Sequence, residues 1–561
     1  MLQVSNVSKS FGADPVLRGI TFSLGSGSRA GLIGANGSGK STLLRIICGE
    51  LPADGGSVRI HPTGSVAYLP QYPADELHLS LRLALLRGAG RLGEQHMRLS
   101  ELERALPTAS GATLERLLAE YATVREEFER LDGYSLDARM DEVVQGLGLQ
   151  APDWNAPVST LSGGNKTKLS LARLLLSASS LLLLDEPTNF LDLPALLWLE
   201  TFVRRGDRTY LIVSHDRRFL DRTVDTVLEI DATEHRLRQW TGTYSDYAEA
   251  RLREQQRQLG AYRDQQAEIA RIEADIKRTK EQARGVEART KSGPGADYQR
   301  RLAKKVAHKA KARERRLERS LEEHRIEKPR PAWGLHLADL DAGSIADNRT
   351  VLEAVDVRAS YGEFRVLAGV DLHLRGQDRV VLLGENGSGK TTLLGCLAGM
   401  VPYEGSIRLG PSIRAGFLSQ ESNELPLQSS VLDVFRSRTE MHVDEARTYL
   451  HKFLFAGSDV FKLVETLSYG QRSKLALAIL ILSEANFLVL DEPTSHMDMP
   501  ALSAIEGAIA EFEGPLLVVS HDRYFLERIG VTRVEVMDAG TLHPVDSLDA
   551  YEGQIVLSGA S

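Results

Sequence analysis

Two segments of this chain have the residue types and spacing to hold a triphosphate. Gly34-Ala35-Asn36-Gly37-Ser38-Gly39-Lys40-Ser41-Thr42 and Gly384-Glu385-Asn386-Gly387-Ser388-Gly389-Lys390-Thr391-Thr392 both follow the pattern Gly-x-x-x-x-Gly-Lys-Ser/Thr. The glycines let successive backbone N–H groups wrap phosphate oxygens at a helix N-terminus. Lys40 and Lys390 then reach the β and γ phosphates, and Ser41 and Thr391 ligate magnesium. Farther on, Asp185-Glu186 and Asp491-Glu492 each end an apolar run, Leu181–Leu184 and Phe487–Leu490. An aspartate delivered by a buried parallel strand can serve the metal ion, and the next carboxylate can polarise the water that attacks the γ-phosphate in line. Glu186 and Glu492 are therefore the candidate catalytic bases. His215 and His521 each end an apolar strand in Val-Ser-His-Asp and are candidates for the same site.

The elements that must position these groups occur twice in one order, which makes the chain a tandem repeat. Lys40 to Lys390 is a step of 350 and Gln71 to Gln420 one of 349, whereas Ser162 to Ser468, Asp185 to Asp491 and His215 to His521 are steps of 306. The first copy thus holds about 44 additional residues between Gln71 and Ser162. Leu114, Leu117, Leu118 and Tyr121 have helical spacing, so the segment 85–131 is predicted to be a helical arm, with a merely enlarged helical subdomain as the alternative. The predicted fold class is α/β, two phosphate-loop domains at 1–247 and 333–561, joined by a linker at 248–332.

In that linker Leu252, Leu259, Tyr262, Ile269, Ile272 and Ile276 step by sevens, threes and fours, as do Leu302, Val306, Ala310, Leu317 and Leu321. Two helices should pair as an antiparallel coiled-coil hairpin, with a break at 285–298 around Ser292-Gly293-Pro294-Gly295. Residues 251–330 contain 24 Lys and Arg against 13 Asp and Glu, while the whole chain carries −8. A basic prong on an acidic body suits a polyanionic partner, a solvated coil being the alternative. Arg284, Arg289, Lys291, Arg300, Arg301, Lys304 and Lys305 at or near the tip are the candidate contacts to that polyanion, RNA-binding residues if the partner is RNA.

The 42% hydrophobic content is enough for real cores. No apolar run approaches the roughly 18 residues of a membrane span, and no signal peptide precedes Leu2-Gln3-Val4-Ser5, so a cytoplasmic protein with no membrane partner is expected. Cys48 and Cys396, the two cysteines, offer neither a disulfide framework nor a zinc site and read as small core residues.

Taken together, the segments resemble the ATP-binding cassette superfamily, most specifically at Leu161-Ser162-Gly163-Gly164-Asn165 and Leu467-Ser468-Tyr469-Gly470-Gln471, which look like its LSGGQ signature. The resemblance implies ATP and Mg2+, with each signature loop clamping the γ-phosphate held by the opposite cassette. One composite site would join Lys40, Ser41, Gln71, Asp185, Glu186 and His215 with Ser468, Gly470 and Gln471. The other would join Lys390, Thr391, Gln420, Asp491, Glu492 and His521 with Ser162, Gly163 and Gly164. It further implies that Gln71 and Gln420 are Q-loop residues serving the metal and that the histidines are switches. Phe11 and Tyr361, each 29 residues before its lysine, would stack on adenine, a place in the core being the alternative. Asn165, Tyr469 and Phe190 depart from the family pattern, and unequal sites are expected.

Two cassettes in one chain, the charged hairpin between them and Trp240-Thr241-Gly242-Thr243-Tyr244-Ser245-Asp246-Tyr247 resemble the ABC-F branch. That resemblance implies a monomer with intramolecular cassette pairing that binds the ribosome at the tRNA exit site. Its hairpin would touch large-subunit rRNA and P-site tRNA near the peptidyl-transferase centre, and the long hairpin points to protection from antibiotics. The alternatives are a housekeeping translation factor, a DNA-directed ATPase, or a transporter motor with separate membrane subunits. A basic tip fits RNA independently, since rRNA and tRNA present dense phosphate.

Overall fold

The computed structural model describes residues 2–61, 65–68, 76–149, 153–189, 191–289, 301, 304–305, 308, 311–313, 315, 348–419, 425–439, 441–451, 453, 455, 457–483, 485–495 and 497–558, except the side chains of 280, 282–289, 469, 481 and 558. The chain divides into two compact units, Met1–Tyr244 with Trp333–Ser561, and Ser245–Ala332.

The first unit holds the two repeats, and each builds the same pair of sheets. In the first repeat a six-stranded sheet runs in the order Val66–Tyr68, Leu181–Asp185, Thr209–Val213, Arg29–Ile33, Thr226–Ile230, Leu237–Thr241, parallel except for its last strand. The second repeat orders Ala415–Leu418, Phe487–Asp491, Leu516–Val519, Arg379–Leu383, Arg533–Asp538, Thr541–Val545 in the same way. A three-stranded antiparallel sheet accompanies each, Asp14–Leu24 beside Leu2–Phe11 beside Gly55–Ile60, and Phe364–Arg375 beside Thr350–Tyr361 beside Glu404–Leu409. The central strands are apolar on both faces because both faces are covered. Phe487 and Val489 point into the core shared with the antiparallel sheet, while Leu488 and Leu490 point into the core shared with the helices.

Both phosphate loops connect a central strand to a helix, Lys40–Ile47 or Lys390–Leu397. Gly39 sits at φ +97, and a Cβ there would lie 2.8 Å from Leu17 and Val16, so only glycine fits. Aspartates start the helices that follow the carboxylate motifs: the Asp192 and Asp498 side chains accept the Ala195 and Ala501 N–H groups, with proline in each first turn.

Leu81–Gly88 has its counterpart in Val431–Arg438, 350 residues on, and the additional residues of the first repeat form the helices Arg91–Ala105 and Gly111–Arg130. The last two pair through Arg98 with Glu120, Gln95 with Glu127 and Tyr121 with Glu103, around buried Leu99, Leu102 and Phe128. Leu118, read from the sequence as part of the apolar stripe, is 49% exposed, so the stripe passes through Leu114, Leu117 and Tyr121 instead.

In the second unit one helix, begun at Tyr244, runs unbroken to Arg289. It thus continues past Gly285, where the hairpin break was expected to begin, because a lone glycine costs a helix only about 1 kcal/mol. Residues 311–313 are helical, and Arg313 forms an ion pair with Asp275, so the chain does fold back. Ile276 is buried at this level. Arg301, Lys304 and Lys305 are helical and exposed. Arg284 and Arg289 lie on the long helix with side chains outside the described residues, as do Lys291 and Arg300 entirely.

Candidate functional site

One cleft of about 830 Å³ is lined by both phosphate loops: Asn36, Gly37, Gly39, Lys40, Ser41 and Thr42 from one, and Asn386, Gly387, Gly389, Lys390, Thr391 and Thr392 from the other. Asp185, Glu186 and His215 join it, as do Asp491, Glu492 and His521. Gly34, Gly384, Ser38 and Ser388 are outside this lining. Lys40 Nζ donates to the Gly34 and Ala35 carbonyls (2.8 and 3.1 Å), and Lys390 Nζ to those of Gly384 and Glu385 (2.8 and 2.7 Å). Burial holds both ammonium groups below the usual lysine range, partly opposed by the neighbouring carboxylates. A buried ammonium at the base of a glycine loop, with open space above Gly37 and Gly387, suits a polyphosphate.

The residues present also fit magnesium. Asp491 Oδ1 is buried without a hydrogen-bond partner. Among the described residues no three His, Cys, Asp or Glu side chains are grouped to hold a metal unaided. A hard cation would therefore share Ser41 or Thr391 and one aspartate with phosphate oxygens, as magnesium does.

Glu186 and Glu492 have φ of 51° and 47°, in the left-handed region that non-glycine residues avoid. Their N–H groups donate to the Val213 and Val519 carbonyls on the neighbouring strand ends (2.8 Å each), which holds the strained turn in place. Such strain costs about 1–3 kcal/mol and aims both carboxylates into the cleft. His215 Nε2 stands 3.3 Å from Glu186 and His521 Nε2 3.7 Å from Glu492, close but off the line of a hydrogen bond. Burial pushes Glu186 up to about 7, against Lys40 and with Asp185 adding like charge, and Glu492 up to about 8, helped by Asp491. Burial together with the nearby lysine pushes His215 down to about 4 and His521 to about 3.

These shifts fix a pH dependence for the nucleotide-free chain. A carboxyl with a raised folded pKa contributes stability that is complete below its unfolded value of 4.5 and is lost as pH rises through 7 to 8. The depressed histidines act oppositely, their stability being present above 6.5 and lost as pH falls through about 4. Of these four groups only the glutamates change between pH 6.5 and about 8, and their contribution should lower the melting temperature by about 2–4 °C across that window. In the Glu186→Gln, Glu492→Gln variant the fall should disappear; a profile as steep as wild type would contradict the assignment.

The resemblance paired each phosphate loop with the opposite signature loop, and the cleft shows a different crossing. Ser162, Gly163, Gly164, Ser468, Gly470 and Gln471 are outside its lining, and each serine Oγ caps its own helix, accepting from Asn165 N or Gln471 N (3.3 Å each). What crosses is an aspartate: Asn36 N donates to Asp498 Oδ2 (3.2 Å), and Asn386 N to Asp192 Oδ2 (3.1 Å). Sequence reading missed this pair, although Leu191-Asp192 and Met497-Asp498 keep the same 306 step. Phe11 lines the cleft and Tyr361 does not; at 53% and 57% exposure neither belongs to the core. Gln71, Gln420, Phe190 and His496 lie outside the described residues.

The two halves differ in detail. Gln471 completes a capping box by accepting the Ser468 N–H (3.0 Å), a bond that the shorter Asn165 does not make. Tyr68 donates to Asp185 (3.4 Å), whereas its counterpart is Phe417. Ser495 donates to Glu492 (3.4 Å), where the first half has Asn189.

The ABC transporter family matches residues 17–189 and 367–495, and an ABC transporter extension family matches 230–333. The ATP-binding protein YdiF of Bacillus subtilis is 35% identical over 98% of this chain and 82% of its own length. The energy-dependent translational throttle protein EttA of Escherichia coli K12 is 32% identical over 94% of this chain and 90% of its own. Among solved structures, the archaeal ribosome recycling factor aABCE1, in complex with ribosomal stalk protein aP1, superposes with a TM-score of 0.61 over 99% of this chain and 92% of that one, at 17% identity. That last likeness speaks for the fold alone.

Proposed function

The chain belongs to the ABC-F branch of the ATP-binding cassette superfamily and is an ATP hydrolase, and from that premise we propose that it is a ribosome-acting factor whose ATP cycle governs when its basic hairpin engages the ribosome. The observation that carries this reading is the hairpin itself: a segment with 24 Lys and Arg against 13 Asp and Glu lies between two cassettes of an otherwise acidic chain. Arg301, Lys304 and Lys305 stand exposed on it. Lysine and arginine neutralise RNA phosphate without reading sequence. The EttA likeness agrees, since that relative is named a translational throttle. Among the described residues no helix is long and apolar enough to cross a membrane, which disfavours a chain that brings its own transport path.

In each site the phosphate loop and its lysine hold the β and γ phosphates. Glu186 or Glu492, once ionised, takes the proton of the attacking water, and His215 or His521 orients that carboxylate and the γ-phosphate. Magnesium, which Ser41 with Asp185 or Thr391 with Asp491 would help to hold, would supply charge neutralisation for the phosphates. Phe11 gives the first site an aromatic face for adenine. Closure on ATP brings Ser468 and Gly470 over the first site and Ser162 and Gly164 over the second. Because ATP binds the closed arrangement better, it shifts the population toward it, and hydrolysis reverses the shift.

On the ribosome we place the hairpin at the tRNA exit site, reaching past P-site tRNA and large-subunit rRNA toward the peptidyl-transferase centre, with protection from drugs bound there as the outcome. A general translation factor is the second reading, and the name of the EttA relative favours it. Translation in a cell-free extract with a peptidyl-transferase inhibitor separates them. Restored synthesis on adding the protein with ATP supports protection; unchanged inhibition, with ATP-dependent slowing of drug-free synthesis, supports the second.

A further inference from the structure

The residue that follows each switch histidine and its aspartate is an arginine that leaves its own cassette. Arg217 donates to both carboxylate oxygens of Glu506 (3.1 and 2.9 Å) and to Ser503 Oγ (2.9 Å), and its guanidinium lies 4.6 Å from the Tyr524 ring centre. Arg523 forms an ion pair with Glu200, and Glu552 stands 3.6 Å away. The arrangement is a repeat of itself, since 217 to 523 and 200 to 506 are both the 306 step. Arg217, Arg523, Glu200 and Glu506 are all buried, with exposures of 6, 0, 4 and 0%. Two charge pairs buried at the contact between cassettes are costly to desolvate and weak as a source of stability, so another role is indicated.

Each glutamate lies on the helix that begins at the crossing aspartate. Helix Met499–Glu511 is capped by Asp498, which accepts from Asn36 in the first phosphate loop, and it carries Glu506, which holds the first switch segment through Arg217. Helix Leu193–Arg205, capped by Asp192, does the same for the second site through Asn386 and Arg523. Eight residues of helix make a rigid strut of about 12 Å. Each strut follows directly on the carboxylate motif of one site and grips the phosphate loop and switch of the other. Lys168 from the first signature helix stands 3.7 Å from Asp192, and Lys474 from the second 3.7 Å from Asp498, so the signature helices are tied to the same struts.

We propose that Arg217 and Arg523 are positioning residues that, through Glu506 and Glu200, couple the two ATP sites so that neither cycles alone. The prediction concerns how strongly disabling one site is felt at the other. In the full chain, Glu492→Gln should lower total ATP turnover about tenfold, because a stalled second site holds the first. In a background with Arg217→Met, Arg523→Met, Glu200→Leu and Glu506→Leu the same change should cost less than about twofold, the share of one independent site. Replacing both members of a buried pair by apolar residues of similar size is usually tolerated, and an unchanged melting temperature will verify that. If that background does not fold, glutamine at all four positions (Arg217→Gln, Arg523→Gln, Glu200→Gln and Glu506→Gln) removes the four charges while keeping hydrogen-bonding side chains and should show the same loss of coupling. An equal cost of Glu492→Gln in native and altered backgrounds would overturn the proposal.

Discussion

Replacing Glu186 and Glu492 together by glutamine is expected to slow ATP turnover by at least about a hundredfold while leaving ATP binding intact. Glutamine keeps the length of the side chain and can occupy the same strained turn, but it cannot accept the proton of the attacking water. The two single changes should be unequal. In the nucleotide-free chain burial pushes both carboxyls up, Glu186 to about 7 with Lys40 opposing the rise and Glu492 to about 8 with Asp491 adding to it, which makes the first the more readily ionised of the two. Asp185 is further fixed by Tyr68, for which Phe417 offers no substitute. Glu186→Gln should therefore cost more than Glu492→Gln in single-turnover hydrolysis. Equal losses would remove the asymmetry, and retained turnover in the double variant would remove the assignment of the base.

The second large effect is expected on the hairpin. Arg301, Lys304 and Lys305 are exposed on a helix, and no ion pair of theirs is seen among the described residues. Changing all three to alanine should weaken ribosome binding about tenfold or more at moderate salt. The dependence of log affinity on log salt should become shallower by about 2–3, since each lost phosphate contact removes about 0.7–0.9 from the slope. Intrinsic ATPase activity should be unchanged, because the substituted side chains are no part of the cleft. An unaltered salt slope would mean that this charge faces water and that the ribosome is held elsewhere.

Much of this was legible in the residues because the repeat marks what matters. Phosphate loops, carboxylate pairs and histidines advertise themselves through apolar strands that end in polar chemistry, and those strands form as expected. The helical arm was legible from its spacing, apart from Leu118, because period alone does not show which edge of a stripe faces the partner helix. The capping role of Ser162 and Ser468 was hidden because a signature serine and a helix cap have the same sequence. Least legible were the crossing residues. Asp192, Asp498 and the four buried arginines and glutamates each look like ordinary helix residues, and only the juxtaposition of cassettes gives them partners. Their one trace in the sequence is the 306 step, which relates Asp192 to Asp498, Glu200 to Glu506 and Arg217 to Arg523.

The central claim, that ATP-bound cassettes commit the hairpin to the ribosome, is tested most directly by sedimenting the Glu186→Gln, Glu492→Gln variant with ribosomes at moderate salt, with ATP and without nucleotide. Retention of the variant in the ribosome pellet with ATP, and its release without, is the predicted result. Failure to associate in either state, with ATP hydrolysis by the wild-type chain intact, would contradict it and direct attention to a different polyanion.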